Sequence, residues 1–201
     1  MKIFAIIIIT KVDENRSSEQ CKKTASLTKR FEVYQIENNL YHRGPMGVGK
    51  TTVSQQLKNK LNHCVFLDGD WCWDAHPFQI TEETKRMVLQ NICFLLQQFI
   101  RCSAYQNIVF CWVLHKQDII DQIVASIDPS VCSIKVISLI CDQAELKNRL
   151  MKDITAKIRT KDVIKRSIAR MDHYMALHTV KINTTGKQPA EIADEIIARS
   201  V

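Results

Sequence analysis

The sequence predicts an α/β fold, a parallel sheet covered by helices on both faces, and three observations carry that prediction. Short apolar runs rich in β-branched residues recur at residues 1–10, 63–67, 107–114, 133–141 and 180–184. Between most of them the apolar residues return every three or four positions, which is the period of a helix. Strands that alternate with helices need crossover connections, and such connections build parallel sheets buried on both sides. The third observation is Gly44-Pro45-Met46-Gly47-Val48-Gly49-Lys50-Thr51, a glycine-rich loop that opens directly into a helix.

Residues 1–10 are continuous and β-branched, the mark of a strand covered on both faces of a parallel sheet. At 3–9 this run is too short to span a bilayer, and no small-residue cleavage site follows it. The 33 residues from Lys11 to Arg43 are polar and of mixed charge. They interrupt what would otherwise be a direct junction between strand and loop. Two arrangements compete: residues 3–9 as the central strand with a long excursion, or residues 31–41 as the strand that feeds the loop, with the first run added at an edge. The second is favoured slightly, because a tight junction positions the loop better than a long detour. Residues 1–43 therefore supply a strand or strands and a polar insertion, and residues 44–201 form the domain proper.

After the loop, Val53, Leu57 and Leu61 fall at helical spacing, and 63–67 is a strand ending in Asp68-Gly69-Asp70. Thr81 caps a long helix with Glu82 and Glu83 in its first turn and Val88, Ile92, Leu95 and Phe99 along one face. Strand 107–114 leads to a helix over 117–127, strand 133–141 to a helix through Leu146 and Leu150. A charged helix over 161–177 turns Ile164, Ile168, Met171 and Met175 inward, and strand 180–184 precedes a final helix over 190–199.

With 201 residues, 46% of them hydrophobic, the chain can fill a single core. Lys and Arg number 28 against 21 Asp and Glu, a net charge of +7. The charges are dispersed, with no basic run and no interleaved aromatics. That argues against nucleic acid and suits a polyanionic small ligand. Eight cysteines without a C-x-x-C pair, several inside apolar runs, read as reduced thiols of a cytoplasmic protein. The six histidines show no metal-ligand spacing.

The loop has the spacing G-x-x-x-x-G-K-T, and each fixed position has a physical task. Glycines let successive N–H groups turn inward on a phosphate chain. Lys50 brings a mobile charge to the β/γ-phosphates, and the Thr51 hydroxyl can ligate Mg²⁺. Gly44, Pro45, Met46, Gly47, Val48, Gly49, Lys50, Thr51 and Thr52 are the expected nucleotide-binding residues. Phosphoryl transfer to an alcohol also needs a group that orients the hydroxyl and takes its proton. Asp70, at a strand end where ligands of open α/β sheets bind, is placed for that task, and Asp68 for holding the metal or orienting Asp70. Trp71 and Trp73 flank the pair as possible walls of an acceptor pocket, and His115 and Lys116 follow the third strand at the same edge.

GPMGVGKT, a helix and then FLDGDWCWDAHPF resembles the small phosphate-loop kinases typified by gluconate kinase, with adenylylsulfate kinase and chloramphenicol phosphotransferase as relatives. The resemblance runs from Gly44 to the C-terminus, although His76-Pro77 stands further behind the acidic pair than in gluconate kinases. It implies a P-loop NTPase three-layer sandwich, a five-stranded parallel sheet in the order 2-3-1-4-5, a small lid, and ATP with Mg²⁺ as donor. It also implies that Arg149 packs on adenine or touches phosphate, and that Arg159, Arg166 and Arg170 lie in or after the lid. The loop of Thr185, Gly186, Lys187, Gln188 and Pro189 would border adenine. The third strand departs from the pattern by lacking a terminal acidic residue, which leaves Asp68 to serve the metal beside Thr51.

The expected function is transfer of the ATP γ-phosphoryl group to a hydroxyl of a small molecule, with Lys50, Asp70 and Arg149 catalytic. The alternatives are a nucleoside or nucleotide kinase and a non-kinase ATP-binding switch. The expected partners are a nucleotide and a small acceptor, without nucleic acid or membrane, in a monomer or homodimer.

Overall fold

In the computed structural model, the described residues are 4–11, 49–157, 160, 162–168 and 176–199. The expected strand over 31–41, the loop residues Gly44, Pro45, Met46, Gly47 and Val48, and Arg159, Arg170, Met171 and Met175 lie outside them.

Strand β1 (Phe4–Lys11) is followed by α1 (Lys50–Lys60), β2 (Cys64–Asp68) and a 3-10 turn (Gly69–Trp73). Then come α2 (Glu82–Arg101), β3 (Asn107–Trp112), α3 (Gln117–Ala125) and β4 (Cys132–Ile140). The chain closes with α4 (Gln143–Thr155), α5 (Asp162–Ile168), β5 (Val180–Asn183) and α6 (Pro189–Ala198). One five-stranded sheet runs β2-β3-β1-β4-β5.

β1 occupies the centre of this sheet, not an edge. It pairs antiparallel with both neighbours, Ile7 standing opposite Phe110 of β3 and Val136 of β4. The other neighbour pairs, β2 with β3 and β4 with β5, are parallel. The sheet is therefore mixed, which corrects the expectation of a wholly parallel one. The physical reason lies in the strand itself: FAIIIITK buries apolar side chains on both faces whichever way it runs. Ile6 and Ile8 enter the cluster under α1 and α6, while Ile7 and Ile9 enter the one under α2 and α3. Two-sided burial is legible in such a run; direction is not.

The reversal has a geometric consequence. β1 ends beside the start of β3, where the Lys11 amide donates to Gln106 O at 3.0 Å and its ammonium to Cys102 O at 2.5 Å. That is the edge of the sheet opposite to the one bearing Asp68, so no described strand leads into the loop at Gly49.

Local signals account for the helices. Thr81 and Thr84 exchange side-chain and backbone bonds in a capping box at the start of α2, whose first turn holds Glu82 and Glu83. The buried stripe of α2 is Val88, Ile92, Cys93 and Leu96, with Leu95 and Phe99 only partly covered. Gln188 and Glu191 form a second capping box on α6, which has Pro189 in its first turn. In α5, Val163 and Ser167 are buried and Ile164 partly so.

Candidate functional site

α1 begins at the carboxyl edge of β2. Gly49 precedes it with φ of 88°, a left-handed conformation that a side chain disfavours, and its carbonyl accepts from the Val53 amide at 2.7 Å. Val53 and Leu57 then anchor the helix in the cluster shared with Ile192, Ala193 and Ile196 of α6. This anchoring holds Lys50 and Thr51 over the sheet. Lys50 is only 2% exposed, a buried cation at a helix N-terminus. Thr52 is exposed on the same turn.

The acidic pair sits beside this turn. Thr51 Oγ1 donates to Asp68 Oδ2 at 3.3 Å, and the Asp70 amide donates to Asp68 Oδ1 at 3.1 Å. One buried carboxylate thus links the loop helix to the turn that carries Asp70. The glycine between the two acids is set by packing: a Cβ on Gly69 would stand 2.4 Å from Trp112 Cγ. Trp73 is buried against Phe78, whereas Trp71 is 61% exposed and meets the edge of Phe66. Trp73 is therefore a core residue, and Trp71 lies on the surface beside Asp70.

Two residues of this neighbourhood carry no motif. Cys111 on β3 is the register partner of Asp68 and is fully buried. Burial, and then the Asp68 charge, push its thiol far above the ordinary value, while Lys50 and the Ser54 hydroxyl act in the opposite sense. Lys85, on the second turn of α2, is 8% exposed and bonds Glu82 at 2.7 Å. Helix α2, which carries it, packs on the 3-10 turn of Asp70. A lysine inside an ordinary amphipathic pattern reads as solvent-facing, so only packing reveals it. His115 and Lys116 follow β3, both half-buried.

The remaining expected residues form a second group. Arg149 donates through Nε to Glu145 Oε1 at 2.7 Å and through Nη2 to the Thr184 carbonyl at 2.9 Å. Thr184 in turn bonds Ile140 O through its amide, and the Thr185 hydroxyl accepts from the Asp142 amide. Arg149 therefore braces α4 against the loop after β5. Lys187, in that loop, pairs with Glu195 of α6 at 2.7 Å. Lys50, Thr51, Asp68 and Asp70 come together at one edge, while Arg149 and Lys187 frame the loop over residues 184–188. The backbone of Arg166 lies in α5.

Among the described residues no three His, Cys, Asp or Glu side chains converge as a metal cluster. Thr51 and Asp68, joined by their hydrogen bond, present hard oxygens of the kind Mg²⁺ selects and could hold a cation, whose other positions would fall to ligand oxygens and water. The described cysteines, Cys64, Cys72, Cys93, Cys102, Cys111, Cys132 and Cys141, are all free thiols. No helix among the described residues is long and apolar enough to cross a membrane.

A family model described as an AAA domain matches residues 43–171. A shikimate kinase of Bacillus cytotoxicus is 28% identical over 169 residues, covering 80% of this chain and 96% of its own. The unliganded crystal structure of a sugar kinase from Janibacter sp. HTCC2649 superposes with a TM-score of 0.55 at 16% identity, covering 77% of this chain and 89% of that one. The last likeness is one of fold.

Proposed function

The chain belongs to the AAA domain family, whose phosphate loop binds nucleotides, and on that premise we propose that it is an ATP-dependent small-molecule kinase. The observation that carries the reading is the Asp68 bridge, which joins the Thr51 hydroxyl to the backbone of Asp70. Donor and acceptor functions are thereby held on one carboxylate. Similarity to a shikimate kinase over most of both chains supports an alcohol as acceptor.

Bound ATP and Mg²⁺ would supply the transferable phosphoryl group and neutralise its charge. The amides of the glycine loop would hold the phosphates, and the buried Lys50 ammonium stands at the start of α1, where anions are favoured. Thr51 and Asp68 would hold the cation. Asp70 orients the acceptor hydroxyl and takes its proton as oxygen attacks the γ-phosphorus and the bond to the β-bridging oxygen breaks. Arg149 and Lys187 border the nucleobase through the loop they brace. The gluconate kinase-like resemblance makes a polyhydroxylated acid a natural acceptor, and shikimate and gluconate are the first to test.

A panel of hydroxylated acceptors with ATP, read as ADP release, tests the reading. Acceptor-dependent turnover should fall at least about a hundredfold in Asp70→Asn while ATP binding is kept, the size expected for loss of a general base. Turnover stimulated only by nucleic acid, and by no small acceptor, would overturn it.

A further inference from the structure

We propose that Cys111 is a positioning residue for the cation site, its thiol holding the Asp68 carboxylate in the orientation that meets Thr51. The inference rests on the reading of Thr51 and Asp68 as the cation's protein donors. Asp68 and Cys111 are partners on adjacent parallel strands, so their side chains leave the same face of the sheet. Cys111 shares a cluster with Val53 and Leu57 of α1, which identifies that face as the one beneath the loop helix. Both side chains are buried, Cys111 at 0% and Asp68 at 6% exposure.

A buried carboxylate needs its lone pairs met by donors, since an unmet one carries the full desolvation cost. Asp68 spends one oxygen on the Asp70 amide and the other on the Thr51 hydroxyl. Cys111 is the next group against it, its partner on the neighbouring strand and equally buried, and the Asp68 charge acts on its thiol in the direction that keeps the proton in place. The thiol is a weak donor with an ordinary pKa above neutrality, so it presents hydrogen and not charge to the carboxylate. When a cation takes the Thr51 oxygen and one carboxylate oxygen, the Thr51 bond to Asp68 is given up. The Asp70 amide and the thiol then remain to hold the carboxylate. Mg²⁺ prefers hard oxygens, which leaves sulfur behind the carboxylate and not on the metal.

The test compares wild type with Cys111→Ser, Cys111→Val and Cys111→Ala. Mn²⁺ binding to the ADP complex is read by electron paramagnetic resonance, and ADP affinity is measured separately without metal. Val fills the volume without a donor, Ala removes both, and Ser keeps a donor at similar size. We expect Mn²⁺ affinity to weaken about three- to tenfold in the Val and Ala variants, the worth of one ordinary hydrogen bond, as suits a weak thiol donor. Cys111→Ser should stay within about twofold of wild type, the span that a kept donor allows. Metal-free ADP affinity, unchanged in all three, reports an intact loop and separates positioning from loss of fold. Equal Mn²⁺ affinity in the Val and wild-type proteins, or a Ser variant as weak as Val, would overturn the inference while leaving the kinase reading in place. A wild-type ADP complex that takes no Mn²⁺ would remove the cation reading and the inference with it.

Discussion

At the scale of single residues, the site turns on groups whose burial gives them leverage. Lys50 places an ammonium out of water at the start of α1, where its field is little screened. Lys50→Ala should lower turnover about a hundredfold or more, measured as steady-state ADP release with the acceptor saturating. Survival of activity would mean that the donor site lies elsewhere. Gly69 is a different case, since its importance comes from a neighbour. A methyl group there would meet Trp112 at Cγ, Cδ1 and Cβ, 2.4 to 2.8 Å away, atoms close to the backbone that have little room to yield. Gly69→Ala should destabilise the fold by about 1–3 kcal/mol, the usual cost of overpacking, read from urea midpoints. An unchanged midpoint would show that Trp112 moves aside freely. The motif announced Gly44 to Thr51 and the acidic pair without any structure. Lys85 and Cys111 stayed hidden because nothing in their local pattern separates a buried lysine or a site cysteine from ordinary ones.

At the scale of elements, helix signals transferred well because they are local. Thr81, Thr84 and the acids behind them start α2 where the pattern placed its cap, and α6 begins at Pro189 behind its Gln188 cap. The face a helix buries was less well defined: Leu96 and Cys93 complete the stripe of α2, while Leu95 and Phe99 are half-covered. Periodicity fixes an apolar arc, and only the neighbouring strands choose its centre. Helix α6 also carries a pH response. Hydrogen bonding from Lys187, aided by the charges of Lys187 and Arg199, holds the Glu195 carboxyl below its ordinary value of 4.5. A depressed carboxyl adds stability that is fully present above its unfolded value and lost as pH falls through the folded one. Thermal midpoints of wild type and Glu195→Gln should therefore differ at neutral pH and converge as pH drops below about 4.5. Midpoints that stay equally separated down to pH 2.5 would exclude this group as the source. Because the pair is at the surface, salt should shrink the difference.

At the scale of the whole molecule, the unexpected feature is the direction of β1. Flanked by β3 and β4, it has both edges hydrogen-bonded and both faces buried, so its amides should open only with global unfolding. Hydrogen exchange at Ile6, Ile7, Ile8 and Ile9 should be as slow as at Ile108, Val109 and Phe110; exchange as fast as in the edge strand β5 would refute a central place. The sequence alone determined the alternation of strands and helices, the loop from Gly44 to Thr51, and the acidic residues behind β2, since each is written in neighbouring residues. Tertiary structure decided what no local pattern encodes. It set the antiparallel run of β1, because a row of isoleucines buries equally well in either direction. It turned Arg149 toward Thr184 and Lys187 toward Glu195, because long cationic side chains take the partners that packing brings within reach. It placed Cys111 against Asp68, because strand register sets which residues share a face across 43 positions of chain.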